Sequence, residues 1–222
     1  MDYSRIRDFI MSYSKDDEGL LGDVYSKAIE KDVPIIRRDT ADFLKVMISI
    51  VRPENVLEVG TAVAYSTIYI ADVLNAIHES RDWHIDTCEM DEGRIAEAEK
   101  NISSSDYMGN INLIKGDAAL SLKNLVGSYD FVFIDAAKAQ YMDYLDESLR
   151  LSHPGTVIIT DNILSDGDVL ESHFLVEKRD RTIHDRMRDY LYRIKNDERL
   201  ETAILSIGDG VAVSVCKENY EK

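Results

Sequence analysis

The chain has 222 residues, with 42 acidic against 26 basic side chains and a formal charge of −16. That length suits one large α/β domain over residues 1–222 and is short for two. The charge excludes a surface that attracts nucleic acid everywhere, while permitting a local basic patch.

No apolar stretch approaches the roughly 20 residues a membrane span requires, and Met1-Asp2-Tyr3-Ser4-Arg5 lacks the apolar core of a signal peptide. A cytoplasmic protein is expected. Cys88 and Cys216 fall in predicted strands and belong to no metal or redox spacing, so both read as reduced core thiols.

Residues 1–51 read as a helical extension, with helices over 3–14, 19–31 and 39–51. Phe43, Met47 and Ile50 recur at helical spacing in the third, and Pro34 breaks the pattern before it. From residue 52 the period changes. Val56-Leu57-Glu58-Val59, 85–89, 111–114, 131–134 and 157–159 are strand-like, with helices over 64–77, 92–103, 117–126, 139–151 and 165–171. Such alternation predicts a mostly parallel sheet with helices on both faces. Residues 202–207 and 211–216 flank Gly208-Asp209-Gly210 and predict an antiparallel hairpin at one edge of the sheet.

Two polar clusters follow directly on buried-strand patterns: Asp135-Ala136-Ala137-Lys138 after Phe131-Val132-Phe133-Ile134, and Asp161-Asn162 after Val157-Ile158-Ile159-Thr160. Strand C-terminal ends are where ligands bind in open parallel sheets. Asp135, Asp161 and the Asn162 carbonyl supply the hard oxygen ligands that Mg2+ prefers.

The first strand leads into Gly60-Thr61-Ala62-Val63-Ala64-Tyr65-Ser66, where only Gly60 is glycine, so the dinucleotide fingerprint is absent. Glu58 beside that loop disfavours a pyrophosphate and suits the ammonium of an amino-acid-like ligand. Glu89 ends the second strand, where a carboxylate accepts ribose hydroxyls. Asp117 opens the helix after the third strand, as its cap or as part of an adenine site. Together these acids favour a nucleoside carrying an amino-acid tail.

With these motifs in order, Leu57-Glu58-Val59-Gly60, Tyr65-Ser66, Glu89, Gly116-Asp117-Ala118, Asp135-Ala136-Ala137-Lys138 and Thr160-Asp161-Asn162, the sequence resembles the cation-dependent O-methyltransferases typified by catechol and caffeoyl-CoA O-methyltransferases. The resemblance runs from about Val33 to the C-terminus. It implies the class I, Rossmann-like methyltransferase sheet, with S-adenosyl-L-methionine and Mg2+ or another divalent cation as cofactors. By it, Asp135, Asp161 and Asn162 bind the metal, and Lys138 matches the general base, with Asp135 beside it in the catalytic centre. Ile36, Glu58, Gly60, Ser66, Glu89, Asp117, Ala118 and Asp135 match positions lining the cofactor pocket. One departure is Ala64, where the family commonly has glycine. Relatives are commonly homodimers, and the apolar N-terminal helices suit that interface.

Between Val176 and Lys195, seven bases face four acids, a local balance of +3, with His184 and Tyr190 interleaved. Such a pattern suits phosphates and unstacked RNA bases, and equally an ordinary solvated helix face. The stretch Phe174 to Met187, with Ile207-Gly208-Asp209-Gly210, resembles the bacterial branch that methylates 5-hydroxyuridine at the tRNA wobble position, making 5-methoxyuridine. That resemblance implies the tRNA anticodon loop as partner, with Arg37, Arg38, Arg179, Arg181 and His184 as substrate-contacting candidates. The alternative acceptor is a catechol-like phenol. A non-catalytic nucleotide or metal binder and a dehydrogenase fit less of the motif set.

Overall fold

The computed structural model describes residues 3–218; Met1 and Asp2, part of the stretch read for a leader, and residues 219–222 lie outside the described residues. Three helices open the chain: α1 (Tyr3–Met11), α2 (Gly19–Glu30) and α3 (Arg38–Val51). Then come β1 (Asn55–Val59), α4 (Tyr65–Ile77), β2 (His84–Glu89), α5 (Glu92–Ser103), β3 (Ile111–Lys115), α6 (Ala118–Asn124) and β4 (Tyr129–Ile134). A 3-10 turn (Lys138–Gln140) leads into α7 (Tyr141–Arg150) and β5 (Ser152–Thr160). A second 3-10 segment (Ser165–Leu170), α8 (Arg181–Asn196), β6 (Leu200–Leu205) and β7 (Val211–Cys216) complete the chain.

The seven strands form one sheet in the order β3-β2-β1-β4-β5-β7-β6. The first five run parallel, and β7 lies antiparallel between β5 and β6. The expected edge hairpin is therefore present, with β6 as the edge. In-register pairs Val59 with Cys88, Val59 with Ile134, and Ile134 with Thr160 bring the parallel strands to a common level at their C-terminal ends. Strand order reverses between β1 and β4, so the crevice of this sheet opens above Gly60 and Asp135.

Alternation along β4 builds two cores from one strand: Phe131 and Phe133 pack with α2, α3 and α4, while Val132 and Ile134 pack with α6, α7 and α8. At about 1.5–3 kcal/mol for each fully buried large side chain, these two layers hold the sheet rigid beneath the crevice. Cys88 and Cys216 are buried free thiols, as expected. Among the described residues, no helix is long and apolar enough to cross a membrane.

The sequence overstated one helix. Where a helix was expected over 165–171, Ser165–Leu170 forms 3-10 turns broken at Asp166 (φ 54°) and Gly167 (φ 95°), because left-handed backbone cannot continue a helix. The helix expected over 139–151 divides into the Lys138–Gln140 turn and α7.

Candidate active site

A cavity of about 370 Å³ sits over the crevice, lined by Ile36, Gly60, Ser66, Glu89, Ala118 and Asp135 among the cofactor residues inferred from sequence, and by Asn162 at one end. Sequence reasoning missed Ala62, Met90, Arg94 and Tyr144, which line it too. Glu89 explains the shape of the loop above β1. Its Oε2 accepts from the Ala62 N–H (2.8 Å) and its Oε1 from the Met90 and Asp91 N–H groups (both 2.9 Å). Three of roughly four lone-pair sites on a carboxylate are thereby used, leaving room for a ligand hydroxyl.

Gly60 closes the approach between β1 and β4. A Cβ built there would lie 1.9 Å from the Asp135 carbonyl oxygen, and its φ of +110° is one that only glycine adopts freely.

The same loop carries strain at two alanines, Ala62 (φ 47°) and Ala64 (φ 67°), the latter the N-cap of α4. A left-handed L-residue costs roughly 1–2 kcal/mol, offset in part by the greater unfolded-state entropy of glycine. Ala64→Gly is therefore expected to raise stability by up to about 1 kcal/mol, a melting-temperature gain of about 2–4 °C. A drop in melting temperature on calorimetry would mean that packing of the buried Ala64 methyl outweighs the strain.

Two inferred cofactor residues are not among those lining the cavity. Glu58 was expected to face the ligand; it is wholly buried and does not line the cavity. Its Oε2 accepts from the Thr67 and Thr87 hydroxyls, the latter at 2.6 Å, while Oε1 has no hydrogen-bond partner among the described residues. Burial pushes its pKa up, partly opposed by the hydroxyls of Ser66, Thr67 and Thr87. Asp117 is the N-cap of α6, accepting from the Ala119 N–H at 2.9 Å, and the cavity wall beside it is made by Gly116 and Ala118.

At the far end the inferred metal residues converge. Asn162, in left-handed backbone (φ 57°), donates from Nδ2 to Asp135 Oδ1 at 2.6 Å, and its N–H donates to Asp161 Oδ1 at 2.8 Å. Burial and the neighbouring Asp135 push the Asp161 carboxyl up to about 7. Burial raises Asp135 as well, relieved in part by Asn162 and Lys138. Buried Asp161 and half-buried Asp135, which repel each other, with an amide able to present its oxygen by a half-turn, make a donor set that fits a hard divalent cation. Tyr141 anchors the loop by donating to the Asp161 carbonyl at 3.1 Å.

Lys138 Nζ lies 3.3 Å from Ser165 Oγ and 3.5 Å from Asp209 Oδ2. Asp209 is an acid the sequence offered only as the middle of a turn. It is buried, and its Oδ1 accepts from the Asp166 N–H at 2.7 Å.

The five substrate candidates divide. Arg37 Nη2 pairs with Asp166 Oδ1 at 3.5 Å, at the mouth where Gly208 stands close to Thr40, Arg37 and Asp161. Arg179 is 78% exposed and pairs with Glu177 and Asp180. Arg38 does not face the mouth: it is held by Asp16 (2.8 Å), the Lys15 carbonyl and the Tyr25 ring, joining α3 to the chain before it. Arg181 donates to the Val176 and Phe174 carbonyls, which fixes the loop before α8. His184 is only 1% exposed, so the sequence's reading of it as a substrate contact gives way to burial.

A family model for O-methyltransferases matches residues 11–217. The chain is 35% identical over 164 residues to a catechol O-methyltransferase of Niastella koreensis, covering 71% of this chain and 72% of that one. It is 28% identical to tapetum-specific methyltransferase 1 of Arabidopsis thaliana, over 85% of this chain and 79% of the relative. The crystal structure of an O-methyltransferase from Bacillus cereus in complex with SAH superposes with a TM-score of 0.82 at 25% identity, covering 96% of this chain and 97% of that one. The reversed strand order, the cavity above Gly60 and Asp135 and the family match over nearly the whole chain agree: this protein belongs to the O-methyltransferase family and is an S-adenosylmethionine-dependent O-methyltransferase.

Proposed function

We propose that the enzyme methylates a hydroxyl that has a second oxygen beside it, using a divalent cation held by Asp135, Asp161 and Asn162, and that its acceptor is 5-hydroxyuridine at the tRNA wobble position. The observation that carries the cation is the convergence of one buried and one half-buried carboxylate, which repel each other, and an amide at one end of the cofactor cavity. When bound, the ion lowers the pKa of the acceptor hydroxyl and fixes its direction.

The remaining work falls to the chain. The acceptor oxygen forms a bond to the methyl carbon as the carbon–sulfur bond breaks, and the sulfonium becomes a neutral thioether. Opposite charges cancel along that path, which a site closed to water favours. The cavity walls at Gly60, Ser66 and Glu89 orient the methyl donor, and positioning alone contributes on the order of 7–11 kcal/mol in the best cases. The proton that leaves the hydroxyl passes to Lys138 Nζ as Lys138 gives one of its own to Asp209 Oδ2, 3.5 Å away.

The 5-hydroxyl and O4 of 5-hydroxyuridine form a two-oxygen pair like that of a catechol. Exposed Arg179 and the 82% exposed Phe174 ring, with Arg37 at the mouth, support an RNA acceptor. A catechol-like phenol is the second reading. It is favoured by Arg181, Arg186 and Arg188, which donate to the chain's own carbonyls rather than facing outward unengaged.

Labelled S-adenosylmethionine with hydroxyuridine-containing tRNA should give labelled 5-methoxyuridine, suppressed by chelator. Combined Arg37→Ala and Arg179→Ala should lower kcat/KM for tRNA at least tenfold while leaving a small catechol nearly unchanged. Label found in catechol alone would establish the phenol reading.

The exposed apolar side chains of Phe9 and Ile10 on α1, and of Val46 and Ile50 on α3, support a homodimer joined through the N-terminal helices. A tRNA acceptor is in keeping with a cytoplasmic enzyme.

A further inference from the structure

His184, in the first turn of α8, has a partner on each ring nitrogen. Its Nε2 lies 3.1 Å from the Glu171 carbonyl, and because a carbonyl only accepts, Nε2 carries the hydrogen. Nδ1 of the neutral ring is then a lone pair, yet it faces Asp185 Oδ1, another acceptor, at 3.0 Å. His173 Nδ1 approaches the same carboxylate oxygen at 2.8 Å. Both imidazoles thus converge on one oxygen of the 53% exposed Asp185 carboxylate. Two such electron pairs 3.0 Å apart are held together by a positive charge between them, either a proton on Nδ1 or a metal ion.

We propose that His173 Nδ1, His184 Nδ1 and the Asp185 carboxylate form a second metal site, suited to zinc or a similar transition-metal ion. The three ligand atoms lie within 4.8 Å of one another. Two imidazoles and one carboxylate are a zinc donor set that leaves a fourth position for water, and the Glu171 carbonyl fixes the tautomer of His184 as outer partners of metal-bound histidines do. Zinc–nitrogen bonds of about 2.0–2.1 Å in a tetrahedron separate ligands by roughly 3.3 Å, so the two histidine–carboxylate contacts must open by a few tenths of an ångström and the two imidazole nitrogens, within 4.8 Å, settle at the same spacing. His173 and Asp185, 41% and 53% exposed, are free to make that adjustment.

The ion would pin the segment after Leu170 to the start of α8. His173 packs edge-on against Phe174, and Arg186 in α8 donates to the Ala139 carbonyl beside Lys138. The site therefore lies outside the methyl-transfer centre and orders the rim next to it, and it does not depend on the acceptor proposed above.

Zinc counting on Asp161→Asn protein, whose methyl-transfer cation site is disabled, tests this. After chelation, reloading with Zn2+ and gel filtration, elemental analysis should find one zinc per chain in Asp161→Asn. The ion should be lost, or bound at least tenfold more weakly, when His173→Ala or Asp185→Ala is added. Co2+ in its place should give the visible absorption of a four-coordinate ion, absent with His173→Ala. Both added changes are at exposed side chains, so a melting curve near that of Asp161→Asn verifies folding. No zinc retained by Asp161→Asn, or equal zinc with His173→Ala, would overturn the proposal and leave a proton on His184 as the shared cation. Failure of tRNA labelling with zinc still bound would count against the acceptor alone.

Discussion

Gly60→Ala is expected to abolish S-adenosylmethionine binding at any practical concentration and to destabilise the fold by about 3 kcal/mol or more. The added methyl would stand 1.9 Å from the Asp135 carbonyl oxygen and 2.8 Å from its carbon, both of them backbone atoms that cannot swing aside. The backbone also holds φ +110°, which costs an L-residue a further 1–3 kcal/mol or so. Relief requires β1 and β4 to part where they are paired as Val59 with Ile134, which displaces Asp135 from Asn162. One substitution thus strikes the cofactor cavity and the Asp135–Asn162 contact together. Calorimetric titration with the cofactor and a thermal melt read both effects, and near wild-type values in each would refute the close approach.

Asp161→Asn should have opposite effects on two properties. Methyl transfer should fall by at least about 100-fold, since a cation contributes several kcal/mol and each 1.4 kcal/mol is about tenfold. The cation-free protein should become more stable, on the order of 2 kcal/mol and about 5 °C in melting temperature, because a neutral amide removes a buried repulsion. The pH dependence carries the same sign. Burial and Asp135 push the Asp161 carboxyl up to about 7 in the fold, against 3.8 for an unperturbed aspartate, so the folded state binds the extra proton between those values. Stability without cation therefore falls as pH rises toward 7 in the native protein, and this slope should flatten in Asp161→Asn. A cation-free melting temperature that drops in the variant would contradict the repulsion.

The strand ends were legible because apolar runs such as Phe131 to Ile134 stop abruptly at Asp135, and that contrast needs no tertiary knowledge. What the sequence could not supply was which side of a strand a polar residue takes, or which neighbour claims it. Glu58 lies one residue before the end of β1, so alternation turns it toward Thr67 on α4 and Thr87 on β2. Arg38 and His184 read as available because composition reports charge, whereas Asp16, Tyr25 and the Glu171 carbonyl that engage them are set by packing. Asp209 looked like turn chemistry for a related reason. Only the insertion of β7 beside β5 carries that turn to Lys138.

That insertion also orders events in time. Lys138 draws its counter-charge from Asp209, in the bend preceding β7, and β6 joins the sheet only through β7. A ribosome-bound chain ending before residue 211 would hold the methyl-donor crevice without this closing pair of strands, so the turn that carries Asp209 takes its place beside Lys138 only after the crevice has been made.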